Sequence, residues 1–547
     1  MSIEPKHVLK KIHERYCSRT NIWFAFFAML FSAMLVVSRH IFNSMGASTI
    51  ENIYVTDFHF VDVITWFLTV SMTYLLMKGI AFILRAVGTV FFGEQRTGKS
   101  GIWILIGTFL LLMVLWSPYL FSYWPGGIYS DTVDSINIAL GKDVMDNHNP
   151  VLYTLIWKLM FQITGAFKGA GEYGGLKCFT VVQTVLMAGT LSGFVYWSYR
   201  KGLHKGFVSV CVLIFGIFSL YPFYGISLWK DTLFSLVIFI FSLFLYQTFV
   251  EEKKDISWKR LFFYGLLSAL IIFLRNNGLY IAIFYSLVIA IVALGMRWKK
   301  ILVKIGVVSV AIIVVSSIIQ GPVYDSLGYN IDRSRESLGI PFQQVAYIVS
   351  TDGVVSEEDS VVINAIMPLE NWKTLYSPDV VDTIKFDPSF DKEFLEQHTG
   401  EFLKTYLHMV GQNPVKAAKA YMLATMGFWD VFESSPTAYV CNFHFGNVEY
   451  FMSDYFDYYF DISFRNFAEP QKYISSAIWA WMMLGTIFIC LAKRNYNGLI
   501  AVMPTLGLWL SIMIATPVAF SFRYVYALFL CAPLYIIICI RSFKEAL

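Results

Sequence analysis

Long apolar segments alternate with short polar connections along most of the chain. Each segment holds about 20 residues, enough for an α-helix to cross the roughly 30 Å hydrocarbon core of a bilayer. We predict twelve transmembrane helices, at residues 22–42, 61–84, 102–122, 177–198, 207–223, 231–250, 260–275, 278–296, 301–320, 472–492, 497–516 and 522–541. The predicted fold class is therefore an all-α polytopic membrane protein.

The basic residues test this count, because short cytoplasmic loops of membrane proteins are enriched in Lys and Arg. With twelve helices, the basic clusters near 10–19, 96–99, 200–205, 253–260, 297–304, 493–494 and 541–544 all fall on one side. That side is predicted to be the cytoplasm, which places both termini there and the protein in the cell membrane. The agreement requires that 150–166 does not cross. This segment contains Lys158 and is short for a span, so we predict a helix that lies at the outer interface or re-enters the membrane.

Two predicted outer regions divide the chain into three parts. Residues 1–320 form an N-terminal transmembrane module with a polar outer loop at 123–176. Residues 321–471 form a mostly helical extracytoplasmic region, in which Asn413-Pro414 separates two helices. Residues 472–547 form a C-terminal module with the last three spans.

Composition narrows the function classes. Hydrophobic residues make up 57% of the chain and charged residues 15%, which excludes an ordinary soluble protein. A net charge of +4 is too small to indicate nucleic-acid binding. The seven cysteines lack the spacing of a metal site or a disulfide framework. No glycine-rich phosphate loop is visible, so a nucleotide-sugar site is not expected.

The outer loop at 123–153 carries the first candidate chemistry. A turn at 124–127 precedes a predicted helix that starts near Ser130, with Ser130 or Asp131 as its N-cap and Gly141 at its end. Asp131 and Asp134 are three residues apart and share one face of that helix. His148 follows in a second polar cluster. The structural alternative is that Asp131 only caps the helix and Asp134 is only solvated.

Cations at the outer ends of other predicted helices supply the complementary charge. Lys230, Arg275 and Arg523 are the main candidates to bind an anion, with His148 and Lys158 as lesser ones. Their alternative role is to extend toward the lipid headgroups, which costs little at a helix end.

These stretches resemble the GT-C glycosyltransferases, polytopic enzymes that use polyprenyl-phosphate-linked sugars. The positions in the first outer loop that resemble the family are Asp131, Gly141, His148, Pro150 and Tyr153. Similar later elements are Leu228–Asp231, Phe273–Gly278 and the Arg523-Tyr524 pair. The chain has Asp131-Thr132 where the family often has two consecutive acids. The segment Glu336–Gln344 resembles a signature of poorly characterised membrane proteins of Gram-positive bacteria.

The resemblance implies transfer of a hexosyl or related sugar from a polyprenyl-phosphate donor. The implied acceptor is a cell-envelope glycopolymer, teichoic acid or glycolipid at the outer face. A carboxylate takes the proton of the acceptor hydroxyl, and we assign Asp131 this role, with Asp134 as the alternative. Residues expected to bind the lipid phosphate are His148, Lys158, Lys230, Arg275, Arg523 and Tyr524. The same carboxylates are also able to hold Mg²⁺ or Mn²⁺, although their spacing does not demand it.

Two other functions are considered. A transporter or flippase of a lipid-linked saccharide would carry charges in the middle of its helices. Here the ionisable residues gather at one face, which favours the enzyme. A non-catalytic scaffold would be favoured if Asp131 faced away from Arg275 and Arg523.

Overall fold

The computed structural model describes residues 18–44, 49–98, 101–165, 174–251, 256–330, 334–432, 454–464, 475–515 and 518–544. Nearly all of the regular secondary structure in these residues is helical. The sheet found among them is a two-stranded antiparallel hairpin, β1 (Ile41–Asn43) and β2 (Ile53–Val55), in which Phe42 lies opposite Tyr54.

Nine helices within the described residues are long and apolar enough to cross a membrane. They are α1 (Arg19–Ser38), α2 (Phe60–Phe91), α3 (Gly101–Ser122), α6 (Gly174–Arg200), α9 (Lys230–Glu251), α11 (Gly278–Gly295), α12 (Lys299–Ile318), α23 (Tyr496–Ile514) and α24 (Tyr526–Lys544). A π turn at Ile319–Val323 and a short turn at Tyr324–Ser326 extend α12, and a 3₁₀ turn at Phe522–Val525 leads into α24. The protein is therefore an all-α membrane protein.

The other three predicted spans are also helical, but each departs from a simple span. The segment at 207–223 is a pair, α7 (Lys205–Ile217) and α8 (Leu220–Ile226), bent by 52°. The helices α10 (Trp258–Leu274) and α22 (Ala477–Lys493) are only 17 residues long. By length alone the count is nine, or ten with the bent pair as one span, so twelve stays a prediction.

Two shorter helices connect α3 to α6. They are α4 (Ser130–Ala139) and α5 (Val151–Gly165), which pack on each other. At 15 residues, α5 is not among the helices long enough to span, in accord with the predicted non-crossing segment.

The last helix forms the centre of the bundle. In the candidate span Phe522–Lys544, 83% of the apolar stretch is buried, compared with 11% in α2. Helices α2, α9, α22 and α23 all pack on α24, although most of the surface of α2 itself stays exposed. Arg523, in the turn that leads into α24, therefore lies at the start of the most buried helix of the bundle.

The two ends of the bundle differ in their charged contacts. At one end, Arg96 donates to the carbonyls of Tyr199 and Leu203, both at 3.2 Å. At the same end, the ammonium of Lys544 at the end of α24 donates to the Phe92 carbonyl at 3.4 Å. Lys230 begins α9 at the opposite end. The predicted separation of basic loops from the candidate site is therefore present, while the assignment of sides of the membrane stays a prediction.

A layer of short helices follows α12. These are α13 (Ser334–Ser337), α14 (Gly339–Ser350), α15 (Glu357–Ile366), α16 (Leu369–Thr374), α17 (Asp382–Lys385), α18 (Lys392–Gln397), α19 (Thr399–Gln412), α20 (Pro414–Thr425), a 3₁₀ turn at Met426–Phe428 and α21 (Tyr455–Phe460). The predicted break between two helices at Asn413-Pro414 is confirmed. Phe342, Trp372 and Phe402 are fully buried together and form the core of this layer.

Buried amides account for part of the Glu336–Gln344 segment. Gln343 donates to the Ser377 carbonyl at 2.8 Å, and Gln344 donates to the Ala417 carbonyl at 2.9 Å. A buried amide without a partner is costly, so these two side chains fix how α14 packs.

The short-helix layer is tied to the bundle next to Arg523. Val380 forms a β-bridge with Val518, and the Ala519 amide donates to the Asp379 carbonyl at 2.8 Å. The loop that leads into Arg523 is therefore held from outside the bundle as well as from within it.

Candidate active site

The first turn of α4 places Asp131, but not as a cap. The N-cap residue is Tyr129, and no side chain caps the helix there. The expectation that Ser130 or Asp131 is the N-cap was wrong, because the Asp131 carboxylate faces two cations, and such charge-assisted contacts are stronger than a bond to a backbone amide. Gly141, with φ of +75°, ends the helix as predicted.

Hydrogen bonds to one carbonyl bring α9 beside this helix. The hydroxyls of Thr132 and Tyr153 both donate to the Leu228 carbonyl, each at 2.6 Å. Both donors are fully buried. Since Leu228 lies two residues before Lys230, this anchoring sets Lys230 next to Asp131.

Five side chains form what we call the charged cluster: Asp131, Lys230, Asp231, Arg275 and Arg523. The Asp131 carboxylate lies 3.1 Å from the Lys230 ammonium and 3.2 Å from the Arg523 guanidinium. Asp231 lies 2.7 Å from Arg275 and 3.9 Å from Arg523. Arg523 therefore links the two carboxylates, and the cluster has three cations for two anions.

The two carboxylates differ in exposure. The side chain of Asp231 is 1% exposed, whereas that of Asp131 is 24% exposed. Burial alone would raise the pKa of Asp131, but the positive charges of Lys230 and Arg523 outweigh it and hold this pKa well below its usual range. Asp131 is thus an ionised carboxylate that solvent can reach.

Two asparagines orient the cluster. Asn149 accepts from the Lys230 ammonium at 2.5 Å and donates to the Asp131 carbonyl at 2.9 Å. Asn276 donates to the His148 carbonyl at 2.9 Å. Asn149 lies in the polar cluster with His148, and Asn276 lies in the segment Phe273–Gly278. Nothing local in the sequence distinguishes either asparagine from an ordinary turn residue.

Aromatic rings surround the guanidinium groups. Arg523 lies 5.0 Å from the ring centres of both Trp229 and Tyr524, and Arg275 lies 5.2 Å from that of Tyr524. Tyr129 stacks on Trp229 with ring centres 3.7 Å apart. Cation–π contacts of this kind restrict where the guanidinium groups can point. The structure therefore brings the predicted residue Tyr524 into the site.

The remaining predicted residues lie farther from the centre. Asp134 lies on the outer side of α4 one turn on, and partial loss of hydration together with the negative charge of Asp131 raises its pKa. His148 is half-buried; its electrostatic effect helps to lower the pKa of Asp131 and partly offsets the rise at Asp134. Lys158 is exposed on α5, away from the buried Trp157, and is not brought into the charged cluster.

A second charged group lies in the short-helix layer. Lys385 is 1% exposed and pairs with Glu336 and, at 3.5 Å, with Asp382. Burial, and then the negative charges of Glu336 and Asp131, raise the pKa of Asp382. From the sequence, no role was assigned to this group or to Asp231, although Glu336 and Asp231 lie in the segments Glu336–Gln344 and Leu228–Asp231 that were singled out there.

A divalent cation does not fit the charged cluster as it stands. The described residues contain no group of three His, Cys, Asp or Glu side chains that could hold a metal ion. Both carboxylates of the cluster already face cationic side chains. We therefore assign no role to the predicted Mg²⁺ or Mn²⁺.

Comparison with known proteins gives one match. Neither a curated protein nor a solved structure matches the chain. The model of a family of unknown function, DUF6020, matches residues 140–547. That segment includes four of the five cluster residues, and Asp131 lies nine residues before it. The match covers most of the chain, which therefore belongs to the DUF6020 family.

Proposed function

We propose that the protein is a membrane glycosyltransferase of GT-C type with twelve spans. It transfers a sugar from a polyprenyl-phosphate donor to a cell-envelope acceptor at the outer face of the cell membrane. The observation that carries this proposal is the solvent-accessible Asp131 carboxylate beside Lys230 and Arg523 at a helix end. A base and phosphate-binding cations are what this reaction requires within one site.

The reaction assigns a task to each part of the charged cluster. The acceptor hydroxyl oxygen bonds to the sugar C1 while the bond from C1 to the phosphate oxygen breaks. The hydroxyl proton passes to the carboxylate of Asp131. The bonding electron pair leaves with the phosphate, where Lys230, Arg275 and Arg523 stabilise the added negative charge. Asp231 keeps Arg275 and Arg523 in place.

Asp131 is a better candidate for the base than Asp134 because of its position. The acceptor oxygen must approach C1, which is bonded directly to the phosphate. A base beside the phosphate-binding cations is therefore close to the reacting hydroxyl. Asp134 is exposed, and no ion pair with these cations is among its described contacts.

The position of the charges also supports an enzyme over a flippase. Lys230 and Asp231 are the first residues of α9, and Arg275 follows the last residue of α10. Arg523 lies in the turn before α24. A carrier that moves a phosphate across the membrane needs polar groups along its path, whereas a transferase needs them at one end.

The test is a gene deletion followed by complementation. Surface glycans of the deletion strain are compared by mass spectrometry after complementation with the wild type, Asp131→Asn, or Lys142→Met as an exposed control in the same loop. We expect Asp131→Asn to lower transfer about 100- to 10,000-fold, the usual effect of losing a general base. Lys142→Met should restore the glycans. Full restoration by an Asp131→Asn, Asp134→Asn double variant present at wild-type levels would refute the proposal.

A further inference from the structure

In the charged cluster, the donor phosphate and the carboxylates would compete for the same cations. The cations assigned to the donor phosphate already contact carboxylates. Lys230 lies 3.1 Å from Asp131, and Arg523 contacts both Asp131 and Asp231. A phosphate that binds them closely must therefore replace at least one carboxylate contact.

The structure indicates which carboxylate is replaceable. Asp231 is 1% exposed and is enclosed between Arg275 and Arg523. Asp131 is 24% exposed, and the two cations it contacts are each 18% exposed. Of the two carboxylates, Asp131 is therefore the one whose contacts with Lys230 and Arg523 are open to solvent and to a dissolved anion. Moving Asp131 into water costs less than exposing a buried carboxylate.

The backbone at Asp131 is fixed while its side chain is free to exchange. Its carbonyl accepts from Asn149 at 2.9 Å and from the Ser135 hydroxyl at 3.2 Å. Because these hydrogen bonds do not involve the carboxylate, they need not break when it leaves Lys230 and Arg523. The released carboxylate still lies next to the phosphate, where the acceptor hydroxyl arrives.

We infer that Asp131 occupies the phosphate site in the free enzyme and that the phosphate ester of the donor displaces it from Lys230 and Arg523. Donor binding thereby converts Asp131 from a partner of these cations into the base. The identity of the ligand rests on the proposed function, but the exchange itself is a property of the charged cluster.

The exchange supplies an order of events. In the free enzyme Lys230 and Arg523 hold the carboxylate in its ionised form, which makes it a weak base. Once they bind phosphate, the carboxylate loses two close positive charges and gains a negative neighbour. Its basicity therefore rises after the donor is in place. Besides Lys230 and Arg523, the titratable groups coupled electrostatically to Asp131 are His148, Asp134, Tyr153, Tyr524 and, from the short-helix layer, Asp382.

The decisive measurement is phosphate affinity in the absence of any transfer. The purified protein in lipid nanodiscs is titrated with decaprenyl monophosphate and, separately, with inorganic phosphate. Asp131→Asn removes the internal competitor, so we expect decaprenyl monophosphate to bind about tenfold more tightly, equivalent to about 1.4 kcal/mol. Lys230→Met removes a cation and should weaken binding.

Asp134→Asn is the matched control. It removes one negative charge one turn away, from a carboxylate without a described ion pair to Lys230 or Arg523. If long-range repulsion alone mattered, both asparagine variants would tighten binding similarly. We expect less than about threefold tightening for Asp134→Asn, since Asp134 is exposed and its interaction with the two cations is screened by water and salt.

Each outcome is informative. Equal or weaker binding by Asp131→Asn overturns the exchange, even if the wild type proves to be a glycosyltransferase. Tighter binding by Asp131→Asn that clearly exceeds any tightening by Asp134→Asn supports it, even if surface glycans are unchanged in the deletion strain and the proposed function fails, whereas similar tightening by both variants overturns it. Tightening toward inorganic phosphate but not decaprenyl monophosphate overturns the lipid as the source of the phosphate.

A pH dependence provides a second readout. The pKa of Asp131 lies below its usual range in the free enzyme, so its ion pairs persist at neutral pH and are lost only as the pH falls through that lowered value. The profile of kcat/KM for the donor reports the free enzyme, and that of kcat reports the bound state. We expect the acidic limb of kcat at higher pH than that of kcat/KM. Coincident limbs would contradict the exchange.

Discussion

Replacement of Asp231 by Asn should destabilise the fold more than the same change at Asp131. Asp231 is 1% exposed, and its carboxylate lies 2.7 Å from Arg275, which is itself only 12% exposed. Asparagine keeps the shape of the side chain but removes its charge. Arg275 is then left buried beside a neutral amide.

The size of the stability loss depends on how deeply each ion pair is buried. Removal of one partner from a buried ion pair costs about 3–5 kcal/mol, because the remaining charge lies in a medium that solvates it poorly. Asp131 is 24% exposed and its cations keep other contacts, including Asn149 for Lys230. Fully exposed pairs contribute about 0–1 kcal/mol, and the partly exposed Asp131 lies between these two limits, so Asp131→Asn should cost less than Asp231→Asn.

Buried cysteines of the chain can be used to follow thermal unfolding. Four free cysteines, Cys211, Cys490, Cys531 and Cys539, are buried in the helical bundle. A thiol-reactive fluorescent dye labels them only as the protein unfolds. Thermal scans in detergent should give a midpoint several degrees lower for Asp231→Asn and a smaller decrease for Asp131→Asn.

A double substitution separates charge from packing. Asp231→Leu with Arg275→Met removes both members of the pair and leaves no unpaired charge on either side chain. Replacing a buried ion pair by apolar residues is often neutral or stabilising, so this variant should recover much of the lost midpoint. Equal midpoints for Asp231→Asn and Asp131→Asn would refute the division into a buried and an exchangeable carboxylate.

Two further predictions concern residues outside the charged cluster. The double variant Glu336→Gln, Asp382→Asn leaves the 1%-exposed Lys385 unpaired and should lower the thermal midpoint more than Lys385→Met, since the two carboxylates are 33% and 40% exposed and stay hydrated without it. Equal losses would contradict this. Gly278→Ala should prevent the tight turn between α10 and α11, because its Cβ would lie 2.1 Å from the Ile271 carbonyl oxygen. Gly107→Ala, a helical position with no atom within 4 Å, is the control and should retain full stability in the same scan.

The helices could be predicted from the sequence because the signal is local. Segments such as 278–296 and 61–84 are apolar over the length that a bilayer requires, and the structure has helices at Gly278–Gly295 and Phe60–Phe91. The bend at 218–219 was missed, because apolar composition continues across it. Hydropathy reports whether a segment is apolar, not whether its axis is straight.

The site was harder to predict because its contacts are distant in the chain. Asp131 and Arg523 are 392 residues apart, and no pattern within either segment predicts that they meet. Arg523 was selected for its place at a helix end and for the resemblance of the Arg523-Tyr524 pair to a GT-C element. The wrong expectation of a cap at Asp131 has the same origin: a carboxylate in the first turn of a helix usually serves that helix, unless a distant cation offers a stronger partner.

The adjacent residues Lys230 and Asp231 explain why the two carboxylates can behave differently. Neighbouring residues on an α-helix point about 100° apart, since one turn takes 3.6 residues. Lys230 therefore faces Asp131 at the exposed side, while Asp231 faces Arg275 on the enclosed side. One dipeptide thus contributes a cation to the exchangeable pair and an anion to the fixed pair. Exchange at Asp131 can then proceed without disturbing the pair that holds α9 and α10 together, which is why the two asparagine substitutions should separate ligand affinity from stability.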